Sequence, residues 1–68
     1  MSIGENIKKF REAKNLTQEQ LAEQTGVDQS YIAKVEHDVR SPTIMFCKAI
    51  AKALECALSD LIGVNDTA

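Results

Sequence analysis

Residues 17–36 read TQEQLAEQTGVDQSYIAKVE, and they predict two short helices joined by a tight turn. Thr17 is a favourable N-cap residue, and Gln20 three positions later completes a capping box. Gly26 suits the left-handed conformation that commonly ends a helix. Asp28 then stands at the N-cap position of the second helix. The stretch is therefore predicted to be a helix-turn-helix motif.

The apolar residues of this stretch repeat one local pattern in both helices. Leu16 and Leu21 have the spacing of a hydrophobic staple across the first N-cap, and Val27 and Ile32 have it across the second. Ala22 is small, so we expect the two helices to cross closely.

A first helix is predicted over residues 3–14. Ile3, Ile7 and Phe10 recur at helical spacing and form one apolar stripe. Asn15 follows where a left-handed cap is needed, and asparagine is the best residue there after glycine.

A fourth helix is predicted over residues 42–54, with Ser41 as its N-cap and Pro42 in its first turn. Glu55 stands at its end, which requires either a left-handed glutamate or a different cap. One arc of the helical wheel is apolar and is expected to face the core. Its residues are Ile44, Cys47, Ile50, Ala51 and Leu54.

A short fifth helix is predicted over residues 57–62, ended by Gly63, and residues 64–68 are expected to fray. The expected fold class is therefore all-α. Residues 1–68 are expected to form a single compact five-helix domain with an ordered core over about 3–63.

The length, charge and apolar content of the chain indicate a small domain outside the membrane. The chain has 68 residues and a net charge of −2, so one small domain with a marginal core is expected. It contains no apolar run long enough to cross a membrane, and its start lacks a signal-peptide core. We therefore expect a cytoplasmic protein that makes no membrane contact.

The residues needed for catalysis or metal binding are scarce. Two cysteines and one histidine are too few for a usual metal site, and Cys47 and Cys56 are expected to be small core residues. The sequence has no paired carboxylates, nucleophile–base pair or Gly-rich loop. We expect no enzyme activity, no catalytic residue, no cofactor and no small-molecule ligand.

The sequence resembles the lambda-repressor-like (Cro/cI, or xenobiotic-response-element) family of DNA-binding domains. The resemblance rests on LTQEQLAEQTGVDQSYIAKVE, on IGENIKKFREAKN before it, and on SPTIMFCKAIAKAL and ALSDLI after it. It implies a transcriptional regulator that places helix three in the major groove of double-stranded operator DNA. We further expect it to act as a homodimer and without a separate sensor domain.

Two narrower identities are open within that family. The tract YIAKVEHDVRSPTI is similar to controller proteins of restriction-modification systems, but it has Lys34 where glycine is usual in them. A phage- or plasmid-type repressor is equally open. A different class of function is a protein-interaction module, antitoxin-like or an adaptor, that keeps the fold.

In a helix-turn-helix protein the N-terminal residues of the second motif helix meet base edges. The side chains expected to contact bases are Gln29, Ser30, Ala33 and Lys34. Phosphate contacts are expected from Gln18, Tyr31 and Arg40, with Gln18 carried over from the family resemblance. The alternative for the base contacts is an ordinary solvated polar helix face, and the alternative for Arg40 is an ordinary loop cation.

Two further sets of residues have structural roles. The resemblance implies a salt bridge between Arg11 and Glu36, which ties helix one to helix three. A homodimer interface is expected where a domain this small cannot enclose its apolar residues. That interface is predicted to contain Phe46, Ile50, Ala53, Leu58, Leu61 and Ile62. The alternative is that Phe46 folds back onto its own core.

Overall fold

The computed structural model describes residues 2–63, which form five α-helices and, over that range, no strand. The helices are α1 (Ile3–Ala13), α2 (Gln18–Thr25), α3 (Gln29–Glu36), α4 (Ile44–Leu54) and α5 (Leu58–Ile62). The all-α class and the order of helices are as predicted. The tail expected to fray, residues 64–68, lies outside the described residues.

The predicted caps of the helix-turn-helix motif are present. The Thr17 hydroxyl accepts from the Gln20 backbone N–H at 3.0 Å, and the Thr17 N–H donates to Gln20 Oε1 at 2.9 Å. Gly26 ends α2 in the left-handed conformation with φ of 74°. Asn15 and Gly63 also adopt positive φ, as predicted for both. Local sequence therefore determines where most of these helices stop.

The beginning of α4 differs from the prediction. The N-cap is Thr43, whose hydroxyl accepts from the Phe46 N–H at 3.0 Å, so Ser41 and Pro42 precede the helix. Ile44 becomes the first helical residue and is 55% exposed, so its predicted place in the core is wrong. Threonine caps a helix through its hydroxyl, and that bond outweighs the preference of proline for a first turn.

The end of α4 takes one of the two conformations left open by the sequence. Glu55 is left-handed, with φ of 58°, and its backbone N–H donates to the carbonyl of Lys52 at 3.2 Å. Its carboxylate forms an ion pair with Lys14, at the end of α1. That contact holds the pKa of the Glu55 carboxyl below its ordinary value. The link between α4 and α5 is thus fastened to α1.

All five helices contribute to one apolar core. Its ten residues are Ile7, Leu21, Ile32, Val35, Phe46, Cys47, Ile50, Ala51, Leu54 and Leu61. Phe46, Ile50 and Leu61 are 6%, 0% and 0% exposed, so three of the residues predicted for a dimer interface are buried within the monomer. The helical wheel of α4 alone does not reveal this burial, because it depends on contacts with other helices. The α5 helix packs against α1 and α4, and the Phe46 ring packs against Tyr31 of α3.

A glycine that the sequence analysis did not single out permits close packing of α1 against α3. A Cβ atom on Gly4 would lie 2.1 Å from the carbonyl oxygen of Val35, far inside contact distance. Gly4 is buried, and its backbone is helical. Glycine costs stability inside a helix, so its presence there is explained by this close approach.

Candidate nucleic-acid interface

The α3 helix has one buried face and one exposed face. Ile32 and Val35 are 0% and 1% exposed and anchor the helix to the core. Gln29, Ser30 and Lys34 are exposed, and Ala33, also predicted to meet bases, is half-buried. The structure therefore leaves polar side chains accessible along α3 while its apolar side fixes the position of the helix.

The sequence predicts that Asp28, at the N-cap position of α3, caps that helix. Its side chain makes no cap hydrogen bond. Instead, its Oδ2 accepts from the Ser30 hydroxyl at 2.8 Å. Because the Ser30 hydroxyl donates its hydrogen bond to Asp28, its oxygen can only accept a hydrogen bond from DNA. The Asp28 carboxylate can also only accept hydrogen bonds.

A concave surface lies at the beginning of α2, beside the end of α1. Thr17, Gln18 and Glu19 line it on one side and Gln29 on another, so the predicted phosphate and base contacts Gln18 and Gln29 come together there. The first backbone N–H groups of a helix have no intrahelical partner and attract anions. This surface therefore offers donors for a phosphate next to the exposed end of α3, although Glu12 and Glu19 add carboxylates to its lining.

The salt bridge between Arg11 and Glu36 is present and largely buried. Arg11 Nε donates to Glu36 Oε2 at 2.7 Å and Arg11 Nη2 donates to Oε1 at 3.0 Å. The two side chains are 10% and 1% exposed. The hydrogen bond to Glu36 raises the pKa of the guanidinium. A third bond runs from Arg11 Nη1 to the carbonyl of Leu16 at 2.7 Å, so Arg11 joins α1, the turn before α2, and α3.

Gln18 is attached to this ion pair, a contact that the sequence analysis missed. Its Nε2 donates to Glu36 Oε1 at 2.9 Å, and the side chain is half-buried. The two residues are 18 positions apart and lie on different helices, so no local spacing predicts the bond.

The two other predicted phosphate contacts form a second cluster beside α3. The Arg40 guanidinium carbon lies 5.5 Å from the centroid of the Tyr31 ring, within reach of a cation–π interaction. The Tyr31 hydroxyl donates to the carbonyl of Ser41 at 3.4 Å. Tyr31 thus holds the loop after α3 rather than extending freely from the surface.

The apolar surface of the described residues differs from the one predicted. Its large exposed side chains are Val39, Ile44 and Met45. Of the predicted interface residues, Ala53, Leu58 and Ile62 are half-buried and pack against the core.

Residues 2–63 contain no group of three or more histidine, cysteine, aspartate or glutamate side chains that are placed to hold a metal ion. Cys47 is buried, which raises the pKa of its thiol, and Cys56 is half-buried. None of the five helices is long and apolar enough to span a membrane.

Comparison with known families identifies the family of the chain. Residues 7–61 match the sequence model of the family HTH_3, described as helix-turn-helix. The chain belongs to this helix-turn-helix family. The match includes both motif helices and the core helices that support them, so the predicted family resemblance is confirmed.

The relatives of this helix-turn-helix protein include both kinds of regulator left open by the sequence. It is 38% identical over 63 residues to the immunity repressor protein of Bacillus phage phi105, covering 93% of this chain and 44% of that protein. It is 38% identical over 60 residues to the control protein C.SmaI of Serratia marcescens, covering 88% and 71%. The chain thus spans less than half of the phage repressor and most of the control protein.

Solved structures agree with the fold. The restriction-modification controller protein C.AhdI from Aeromonas hydrophila superposes with a TM-score of 0.85 at 33% identity, covering 88% of this chain and 91% of that one. A helix-turn-helix transcriptional regulator from Vibrio cholerae superposes with a TM-score of 0.84 at 28% identity, covering 93% and 35%. Of these four proteins, one is named as a repressor, two as control or controller proteins, and one as a transcriptional regulator.

Proposed function

We propose that this chain is a sequence-specific DNA-binding transcriptional regulator that inserts α3 into the major groove of its operator. The observation that carries the proposal is the exposed polar face of α3, held by a buried opposite face within a helix-turn-helix domain. The relatives named as immunity repressor, control protein and transcriptional regulators support gene regulation as the purpose of binding.

The proposed contacts divide into those that read bases and those that position the domain. Gln29 is suited to bidentate hydrogen bonding with adenine N6 and N7, and Lys34 to guanine or a phosphate. Ser30 and Ala33 complete the base-reading face. Gln18 with the N-terminus of α2 would bind one phosphate, and Arg40 beside Tyr31 another; such contacts fix register without reading sequence.

Charge sets a limit on the affinity of one domain. The net charge is −2, and exposed carboxylates of Glu19 and Asp28 lie at the proposed interface. We propose that the chain overcomes this as a homodimer, because two linked domains gain effective concentration for each other on one DNA molecule. They would read half-sites about 34 Å apart, one helical turn of DNA.

The proposed dimer surface is revised by the burial of Phe46, Ile50 and Leu61. Leu58 and Ile62 are four residues apart on α5, so they share a helix face, and both remain partly accessible. Together with Ala53 they are the part of the predicted interface that a second copy can still reach. A two-fold dimer would bring the same patch of each subunit together.

Selection of bound sites from a random duplex pool tests the proposed function. The expected result is enrichment of one two-fold sequence, followed by binding to it that survives an excess of unrelated competitor DNA. An unenriched pool, or a shift abolished equally by any competitor, would contradict the proposal and favour a protein-interaction role.

A further inference from the structure

The Glu36 carboxylate accepts more hydrogen bonds than its role as the partner of Arg11 requires. Oε2 accepts from Arg11 Nε, while Oε1 accepts from both Arg11 Nη2 and Gln18 Nε2. The carboxylate side chain is 1% exposed. Glu36 is therefore too buried to contact DNA itself, but it is hydrogen-bonded to Gln18, which is accessible.

The chemistry of this contact fixes the orientation of the Gln18 amide. An ionised carboxylate only accepts hydrogen bonds, so the end of the amide that faces Glu36 has to be the NH₂ group. The alternative, with the amide turned by 180°, would place its carbonyl oxygen against a buried carboxylate and leave two acceptors facing each other. One N–H of Gln18 is thus committed to Glu36, and the second N–H and Oε1 stay free.

The concave surface at the beginning of α2 is where the free groups of Gln18 can meet a ligand. Gln18 lines that surface together with Thr17, Glu19 and Gln29. A phosphate accepts hydrogen bonds but does not donate them at neutral pH, so only the second N–H of Gln18 is useful to it. An amide free to rotate would present its carbonyl oxygen part of the time and would lose orientational entropy on binding.

We propose that Glu36 is a positioning residue for DNA binding: it holds the Gln18 amide so that an N–H is presented to a DNA phosphate. This inference rests on the proposed function. It gives Glu36 a second role in addition to joining α1 to α3. The buried ion pair is then connected to the binding surface through Gln18.

A role confined to the fold makes a different prediction from a positioning role. If Glu36 only ties helices together, replacing it weakens DNA binding equally whether or not Gln18 is present. If Glu36 acts through Gln18, the effect of the replacement is large with Gln18 and small without it. A double-mutant cycle separates the two cases.

The binding experiment compares four proteins on the selected operator: wild type, Gln18→Ala, Glu36→Gln, and the double variant. All are measured at a temperature at which circular dichroism shows them folded. The expected loss for Glu36→Gln is roughly 3- to 10-fold in affinity, the size of one hydrogen bond, and little further loss in the Gln18→Ala background. Equal losses in both backgrounds would overturn the proposal.

Gln24 provides the matched control. It is an exposed glutamine on the same helix and does not line this concave surface. Pairing Gln24→Ala with Glu36→Gln is expected to give additive effects on binding. Coupling as large as that seen with Gln18 would show that Glu36 acts through α2 as a whole, which contradicts the proposal.

The orientation of the Gln18 amide can also be tested in the wild-type protein alone, without DNA and without any variant. Hydrogen exchange of side-chain amides by nuclear magnetic resonance is expected to show one Gln18 proton exchanging more slowly than those of Gln24. Equal exchange at the two glutamines would overturn the orientation of Gln18 even if DNA binding is normal. Slow exchange in a protein that binds no DNA would instead identify the proposed function as the part that is wrong, and would remove the positioning role with it.

Discussion

The ring of Tyr31 meets the ring of Phe46 edge-on, with 4.8 Å between the centroids and 86° between the planes. Tyr31 belongs to α3 and Phe46 to α4, so the pair fastens α3 to the core. Aromatic pairs in this arrangement contribute about 0.5–1.5 kcal/mol beyond the area that they bury. Phe46 thus stabilises the position of α3 within the monomer, which was the alternative to its predicted role in a dimer interface.

Replacing Phe46 tests that assignment through stability. Phe46→Ala is expected to lower the free energy of unfolding by ~3–5 kcal/mol, because it leaves a cavity and removes the contact with Tyr31. Met45→Ala is the control: Met45 is 81% exposed, and its loss is expected to cost less than about 0.5 kcal/mol. Urea denaturation monitored by circular dichroism measures both. Similar losses for the two variants would place Phe46 outside the core.

Gly4 and Gly26 are expected to resist substitution for different reasons. Gly4→Ala would bring a methyl group within 2.1 Å of the Val35 carbonyl oxygen, so α1 and α3 must separate. Overpacking of this kind costs about 1–3 kcal/mol or more. Gly26→Ala meets nothing within 4 Å but has φ of +74°, a strain of about 1–2 kcal/mol.

A comparison of the two alanine variants by urea denaturation and DNA binding checks this account. Gly4→Ala is expected to weaken operator binding as well as stability, since it displaces α3. The Gly26 variant, once folded, is expected to keep a larger share of the binding. A Gly4→Ala protein as stable as the wild type would show that the helices do not approach this closely.

The pair between Lys14 and Glu55 predicts a pH effect. The hydrogen bond from Lys14 lowers the pKa of Glu55 below its ordinary value of 4.5, so the ionised carboxylate stabilises the folded chain. Since the folded pKa lies below the unfolded one, this contribution is present above pH 4.5 and is lost as the pH falls through the folded pKa.

Titration of the Glu55 side-chain carboxyl by nuclear magnetic resonance measures that shift. In the Lys14→Met variant the pKa of Glu55 is expected to return toward 4.5, because its hydrogen-bonding partner is gone. The same midpoint in both proteins would mean that the two side chains do not pair in solution.

Capping and turn residues predicted more of this structure than did the apolar faces drawn on the wheel of any single helix. Two of these signals lie at the ends of α2: the capping box of Thr17 and Gln20, and the left-handed Gly26. Each involves only residues within three positions of a helix end, so the sequence predicts it directly. The beginning of α4 was misjudged because Ser41, Pro42 and Thr43 offer two competing starts, and only the hydrogen bond to Phe46 distinguishes them.

Contacts between distant positions were the part that the sequence could not reveal. Two such contacts join α1 to another helix. Gly4 packs against the Val35 carbonyl of α3, and Asn6 Nδ2 donates to the Leu61 carbonyl of α5 at 2.8 Å. No periodicity marks them, since they depend on how helices cross. The Arg11–Glu36 pair was anticipated only through the family resemblance, and the Gln18 bond to it was not anticipated at all.

The proposed homodimer is tested at the accessible face of α5. Ile62→Glu places a charge on the proposed interface and is expected to shift the protein toward monomer in sedimentation velocity at micromolar concentration. Met45→Glu adds the same charge at an exposed apolar site on α4 and is expected to leave the association unchanged. A monomeric wild type, or dissociation by Met45→Glu alone, would contradict this choice of surface.

If α3 reads base sequence while its surroundings bind phosphate, substitutions in the two places must change the affinity ratio between operator and unrelated DNA differently. Gln29→Ala is expected to weaken operator binding by ~1–3 kcal/mol and to leave binding to unrelated DNA nearly unchanged, so the ratio falls. Arg40→Ala is expected to weaken both alike and to reduce the salt slope by about one unit, so the ratio holds. An unchanged ratio in the Gln29→Ala protein would contradict the placement of α3 in the major groove.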